Sequence, residues 1–148
     1  MPLPLLDATG DLPPGVHRNS LRELLERFGV GTPQRRRLSI RLQRVYELAV
    51  ATGRLDRAIV FGSFVSAKAE PNDVDLFLVM EDTFDLNGVS GEGRVVFDHP
   101  AAQAHFGASV FWVRHAACFP SEDELVSGWA LKRDGTKRGI VELVMEAT

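Results

Sequence analysis

Two short apolar segments joined through a Gly-Ser turn constrain the fold of this chain more than any other feature. The first, "RAIVF" (57–61), ends at a glycine and predicts a buried strand. The second, "DVDLFLVM" (73–80), follows nine residues after the Gly62-Ser63 pair and alternates with the period of a strand. This period places Asp73 and Asp75 on one face and the valine between them on the other. The sequence therefore predicts a two-strand corner that carries a small turn and two neighbouring carboxylates.

Such a corner has the parts that phosphate and metal chemistry needs. Hard carboxylate oxygens on one side of a strand suit Mg²⁺ or Mn²⁺ and leave coordination positions open for water and phosphate. The Gly62-Ser63 turn allows backbone N–H groups to approach a phosphate closely, and the serine hydroxyl adds a donor. Each piece alone has a simpler reading, as the polar face of an exposed strand or as an ordinary turn. Their order along the chain favours the functional reading.

The rest of the chain predicts an α+β fold, in which N-terminal helices pack on a mixed sheet. We expect one domain over 1–148, with an irregular, proline-broken arm at 1–19, an Arg-rich helical pair at 20–53 and a sheet-containing core at 57–148. Within this core, strands are predicted at 93–97, 108–114 and 139–145, and helices at 99–106 and from Ser121 to about Lys132.

Composition narrows the class of protein. Apolar residues make up 45% of the 148 residues, and no apolar run has the roughly 18 residues of a membrane span. One cysteine, Cys118, excludes an internal disulfide, which suits a reducing cytoplasm. Residues 1–58 hold ten arginines against six acids, whereas the remainder is acidic. The arginines of the second helix form either a solvated face or a surface for a polyanion such as RNA.

Other side chains favour structural roles. The four histidines lack metal-ligand spacing. Phe111 and Trp112 fall on opposite faces of a strand, so one is expected in the core and the other in a cleft or at a partner. Trp129 is predicted to be a core residue rather than a platform for a stacked base.

At this point the sequence resembles a known family. Phe61-Gly62-Ser63 followed by Asp73-Val74-Asp75 is similar to the signature of the polymerase-β-type nucleotidyltransferase superfamily. That superfamily includes small nucleotidyltransferase-like proteins of bacterial toxin–antitoxin loci. A narrower resemblance, to a small uncharacterised bacterial family of this type, covers most of the chain. It rests on "LPPGVH" (12–17), the Arg-rich helix, "GSFVSAKAEPNDVD" (62–75) and "RDGTKRGIVEL" (133–143).

The resemblance implies a role for each matching residue. Gly62 and Ser63 would contact the phosphates of a nucleoside triphosphate, and Asp73 and Asp75 would be catalytic and coordinate Mg²⁺ or Mn²⁺. Lys68 would either neutralise phosphate charge or remain a solvated loop lysine. The implied activity is transfer of a nucleotidyl group from the triphosphate to a hydroxyl of an RNA, a protein or a small molecule.

One departure from the family pattern leaves catalysis open. Such enzymes carry a third carboxylate on a neighbouring strand, and the segment "HFGASVFWV" (105–113) has Ser109 where that acid is expected. Serine supplies no negative charge, so a two-metal site needs a substitute, for which Asp98 and Glu142 are the candidates. The alternative function is a catalytically degenerate nucleotidyltransferase fold that acts as a partner or antitoxin of another protein.

Overall fold

The computed structural model describes residues 3–145 and has the α+β architecture predicted from the sequence. Within this range, five α-helices accompany one five-stranded mixed sheet. None of the helices in residues 3–145 is long and apolar enough to cross a membrane. The strands are β1 (Val16–Asn19), β2 (Leu55–Phe61), β3 (Val74–Met80), β4 (Ala108–Arg114) and β5 (Ile140–Leu143), and the helices are α1 (Leu21–Phe28), α2 (Pro33–Ala51), α3 (Gly91–Val95), α4 (His99–Phe106) and α5 (Glu122–Gly128).

The order of the strands places the two predicted motif segments at the centre of the sheet. This order is β1-β5-β2-β3-β4. The pairs β2–β3 and β2–β5 are antiparallel, whereas β3–β4 and β1–β5 are parallel. In this register Asp75 lies between Phe61 of β2 and Ser109 of β4.

The alternation of β3 divides its side chains between two cores, as the sequence predicts. Val74, Leu76, Leu78 and Met80 pack into the larger core with α1 and α2. On the other face, Phe77 and Val79 pack beneath α5 in a smaller core. Asp75 shares this second face, because residues two apart on a strand point to the same side.

The predicted helical pair is confirmed, and a side chain caps the start of each helix. Ser20 Oγ accepts a hydrogen bond from the Glu23 amide at the start of α1. Thr32 Oγ1 does the same for the Arg35 amide at the start of α2, where Pro33 occupies the first turn. Each cap satisfies an amide that has no partner within its helix.

Three secondary-structure predictions need correction. The segment predicted as a strand at 93–97 contains the end of α3, and Val96 and Phe97 fill the larger core from a helical turn. An apolar run this short has no period that separates a strand from a buried helical turn. The arm at 1–19 is not irregular throughout, because Val16–Asn19 forms β1 beside β5. The helix expected to reach about Lys132 ends at Gly128.

Candidate functional site

The turn after β2 requires a glycine. Gly62 has φ of 82° and ψ of −163°, a conformation that residues with a β-carbon rarely adopt. A β-carbon at this position would also overlap Oδ2 of Asp75. Immediately after it, Ser63–Val65 forms a short 3-10 turn. The backbone at Gly62 therefore packs directly against one carboxylate of the predicted pair.

Asp73 and Asp75 form a half-buried pair of carboxylates beside this turn. The pKa of Asp75 is raised to about 6, first by burial and then by the negative charge of Asp73, while Arg138, Ser109 and His99 act in the opposite direction. Asp73 and Asp75 carry like charges in a partly dehydrated corner, which disfavours the ionised form of Asp75. A divalent cation between them would remove this conflict, and hard oxygens are the ligands that Mg²⁺ and Mn²⁺ prefer. The donor set thus fits the predicted metal.

Ser109 completes the corner on the side of β4. It pairs with Asp75 across the parallel strands, is 8% exposed and donates a hydrogen bond from Oγ to Oδ2 of Asp73 over 2.8 Å. The structure therefore places Ser109 beside Asp73, on the strand where the family resemblance implies a third acid. Its hydroxyl stabilises the carboxylate pair but adds no charge to it.

The two candidate substitutes for that acid are engaged elsewhere. Asp98 lies at the start of α4, where its Oδ1 accepts a hydrogen bond from the Ala101 amide. Glu142 on β5 accepts from Nε of Arg57 over 3.1 Å. Each carboxylate thus has a hydrogen-bond partner away from Asp73 and Asp75.

Arg35 holds the loop that connects the turn to the carboxylates. Its side chain is buried and its guanidinium donates to the carbonyl oxygens of Phe28, Phe64, Ser66 and Lys68. The sequence placed Arg35 among the arginines of a possible polyanion surface. It is instead a structural residue that fixes the shape of the loop between Gly62 and Asp73.

Ser63 and Lys68 lie on this loop without contacts that assign them a role. The carbonyl of Ser63 accepts a hydrogen bond from Ser66 Oγ over 2.6 Å. Lys68 is exposed, and it is not among the residues that line the cleft beside Asp75. Phosphate binding by these two residues stays a prediction.

A cleft of about 630 Å³ opens beside the corner. Phe61, Gly62 and Asp75 form one wall, and residues 128–138 contribute the other. The second wall carries three cationic side chains, those of Lys132, Arg133 and Arg138.

Two of these cations are held by a buried carboxylate of the N-terminal arm. Asp11 is 5% exposed and lies 2.9 Å from Nζ of Lys132 and 3.6 Å from a terminal nitrogen of Arg138. The segment "RDGTKRGIVEL" (133–143) is part of the family resemblance, which implies no role for its cations, and Lys132 directly precedes it. Its concentration of basic residues was the available signal.

A second cluster of titratable groups lies at the opposite end of β2. Ligand atoms of Asp56, His115 and Glu122 come within 4.8 Å of one another. The other carboxylate oxygen of Glu122 lies 3.1 Å from Arg57. We interpret this cluster as a network of ion pairs that ties α5 to the sheet. No spacing in the sequence indicates it.

Comparison with known proteins gives a family but no activity. A family model described as "Family of unknown function (DUF6932)" matches residues 4–144. A search of curated proteins and a search of solved structures each returned no match.

Proposed function

The chain belongs to this family of unknown function, and we propose that it is a metal-dependent nucleotidyltransferase that uses a nucleoside triphosphate. The nucleoside triphosphate, as donor of the nucleotidyl group, would bind at the corner formed by Gly62, Asp73 and Asp75. The acceptor would be a hydroxyl group of an RNA, a protein or a small molecule.

The observation that carries this proposal is the contact between a glycine turn and a partly buried pair of carboxylates. Gly62 allows its backbone to lie against Asp75, and Asp75 has a pKa raised to about 6 by burial and by Asp73. Structural carboxylates are normally placed where partners stabilise their charge, whereas a carboxyl whose pKa is raised by burial and by a like charge is typical of functional sites. The nearby cations of residues 132–138 supply the opposite charge that a triphosphate needs.

Each part of the corner has a distinct role in this proposal. Asp73 and Asp75 would hold Mg²⁺ or Mn²⁺, which neutralises charge on the triphosphate and polarises its α-phosphate when bound. The turn at Gly62 leaves room for phosphate oxygens near backbone amides, and Arg138 and Lys132 face the same cleft. Ser109 orients Asp73 through its hydrogen bond.

The proposed reaction is a displacement at the α-phosphorus. The acceptor oxygen forms a bond to the α-phosphorus, the bond from that phosphorus to the bridging oxygen of the β-phosphate breaks, and pyrophosphate leaves with that electron pair. The proton of the acceptor hydroxyl passes to water. Positioning and neutralisation of charge account for most of the acceleration in such transfers.

One observation favours the second candidate function, a degenerate fold that acts by binding another protein. Ser109 stands where the family resemblance implies a third acid, and Asp98 and Glu142 accept hydrogen bonds from Ala101 and Arg57 instead of contacting Asp73 or Asp75. A site with only two carboxylates can bind a metal–nucleotide complex without transferring the nucleotidyl group efficiently. Such a protein would act as a partner or antitoxin in a bacterial toxin–antitoxin pair.

Transfer of label from α-³²P-labelled nucleotides separates the two candidates. Purified protein is incubated with each nucleotide, Mg²⁺ or Mn²⁺, and acceptors that include total RNA and the protein itself. Nucleotidyl transfer predicts label in an acceptor that disappears in Asp75→Asn and persists in Glu70→Gln, a change at an exposed loop carboxylate. Labelling that survives Asp75→Asn contradicts the proposed site. Nucleotide binding without labelling of any acceptor favours the binding function.

A further inference from the structure

Aromatic side chains occupy the sheet face directly beyond the carboxylate corner. Phe61 pairs with Asp75 across β2 and β3, and Phe77 lies two residues beyond Asp75 on the same face. On β4, Phe111 pairs with Phe77 just as Ser109 pairs with Asp75. The register therefore places three phenylalanines next to the site.

Trp129 covers these three rings. Its ring centroid lies 4.7 Å from that of Phe61, 5.1 Å from that of Phe77 and 5.0 Å from that of Phe111, with tilted planes. Its Nε1 is the one buried side-chain nitrogen or oxygen of residues 3–145 that has no hydrogen-bond partner. A buried donor without an acceptor is uncommon in proteins and requires an explanation.

The aromatic cluster faces the cleft of the proposed active site rather than a closed core. Phe61 and Trp129 line this cleft together with Gly62 and Asp75. Phe111, at the edge of the cluster, remains 37% exposed. The cleft is thus divided into an aromatic part, formed by Phe61 and Trp129, and a cationic part, formed by residues 132–138.

This division fits the two halves of a nucleotide. We propose that Phe61 and Trp129 bind the nucleobase of the donor by stacking, while its phosphates bind at the carboxylate corner and the cationic wall. The inference rests on the proposed function, because it assigns a further subsite of the same cleft. A base that enters beside Trp129 also brings ring and carbonyl acceptors near the unpartnered Nε1.

The chemistry of the wall determines which bases it prefers. No amide side chain lines the cleft among the described residues. Stacking depends on ring area more than on the hydrogen-bonding edge of a base, so purine nucleotides should bind more tightly than pyrimidine nucleotides without strong choice between adenine and guanine. A stacked base contributes about a fivefold gain in affinity at the low end of its usual range.

The decisive comparison is between a nucleotide and a ligand that has the same phosphates without a base. Calorimetric titrations with Mg²⁺·ATP and with Mg²⁺·tripolyphosphate are made on the wild type, on Trp129→Leu and on Trp112→Phe. Trp112 is the matched control, because it packs on the other face of the sheet against Phe84 and Phe97. We expect ATP to bind at least about fivefold more tightly than tripolyphosphate. Trp129→Leu should remove most of this difference with unchanged affinity for tripolyphosphate, and Trp112→Phe should preserve it.

Fluorescence provides a second measurement that does not require the Trp129 variant to fold. The sequence has two tryptophans, so Trp129 is the sole tryptophan emitter in Trp112→Phe. Its emission should change on addition of ATP and stay constant on addition of tripolyphosphate.

The outcomes separate this inference from the function on which it rests. Equal affinity for ATP and tripolyphosphate, or equal losses for both ligands in Trp129→Leu, overturns base stacking and leaves the phosphate site intact. Trp129 emission that does not change when ATP binds also overturns base stacking and leaves the phosphate site intact. If neither ligand binds the wild type, the proposed function fails and the inference fails with it.

Discussion

Replacing Asp75 by asparagine should make the protein more stable at neutral pH while it removes metal binding. Asparagine has the shape of a protonated aspartate and carries no charge into the half-buried corner. The pKa of Asp75 is raised from 3.8 to about 6 by burial and by the charge of Asp73. A raised carboxyl pKa means that the ionised group opposes folding, so removal of the charge should increase the free energy of unfolding.

The size and the pH range of the effect follow from this pKa. At 1.36 kcal/mol per pKa unit the shift corresponds to about 3 kcal/mol, and the partial exposure of Asp75 reduces this to about 1–3 kcal/mol. Below pH 3.8 the carboxyl is protonated in the folded and the unfolded chain, and the charge costs nothing. The cost grows as the pH rises from about 4 to 6 and is complete above about 6.

Urea unfolding at several pH values between 4 and 8 measures this difference directly. The free energy of unfolding of Asp75→Asn should exceed that of the wild type by about 1–3 kcal/mol at pH 8, and the two free energies should converge near pH 4. Saturating Mg²⁺ should stabilise the wild type and leave the variant unchanged. The control Glu70→Gln changes an exposed carboxylate and should show neither effect. A destabilised Asp75→Asn, or a difference that does not depend on pH, would refute the reasoning.

Three further changes test other contacts of the site. Gly62→Ala should lose about 1–3 kcal/mol of stability to its positive φ, and should weaken Mg²⁺ binding because its β-carbon displaces Asp75; thermal unfolding and calorimetry measure the two effects. Arg35→Ala should cost about 3 kcal/mol in urea unfolding, since it leaves buried carbonyl groups without donors, whereas an equal change at exposed Arg36 should cost little. Ser109→Asp should lower the melting temperature without metal and raise the affinity for Mn²⁺, because a third carboxylate faces Asp73 and Asp75; an unchanged Mn²⁺ affinity would contradict the geometry of this corner.

The sequence predicts the corner well because its determinants are local. Alternation along 73–80 alone fixes the common face of Asp73 and Asp75. A glycine between an apolar strand and a serine indicates a turn, and the structure confirms that this position needs a positive φ. These features depend on neighbours in sequence, so the sequence alone predicts them.

The rest of the site depends on contacts between distant segments, which no local pattern encodes. Lys132 and Arg138 line the cleft, and both form ion pairs with Asp11, a residue of the N-terminal arm. Trp129 belongs to the smaller core as the sequence predicts, yet the end of α5 at Gly128 also turns it toward the cleft. Arg35 looks like its exposed neighbours in sequence and is buried only because carbonyl groups surround it. In each case the packing of other elements decides the role of the side chain.

We propose that Asp73 and Asp75 bind the metal complex of a nucleoside triphosphate. Calorimetric titration of the wild type with Mg²⁺ and each of ATP, CTP, GTP and UTP tests it most directly, beside the double variant Asp73→Ala and Asp75→Ala. We predict that at least one nucleotide binds the wild type only when Mg²⁺ is present, and that the double variant loses this binding while it remains folded. Absence of binding by all four nucleotides, or binding that survives in the double variant, would contradict the claim.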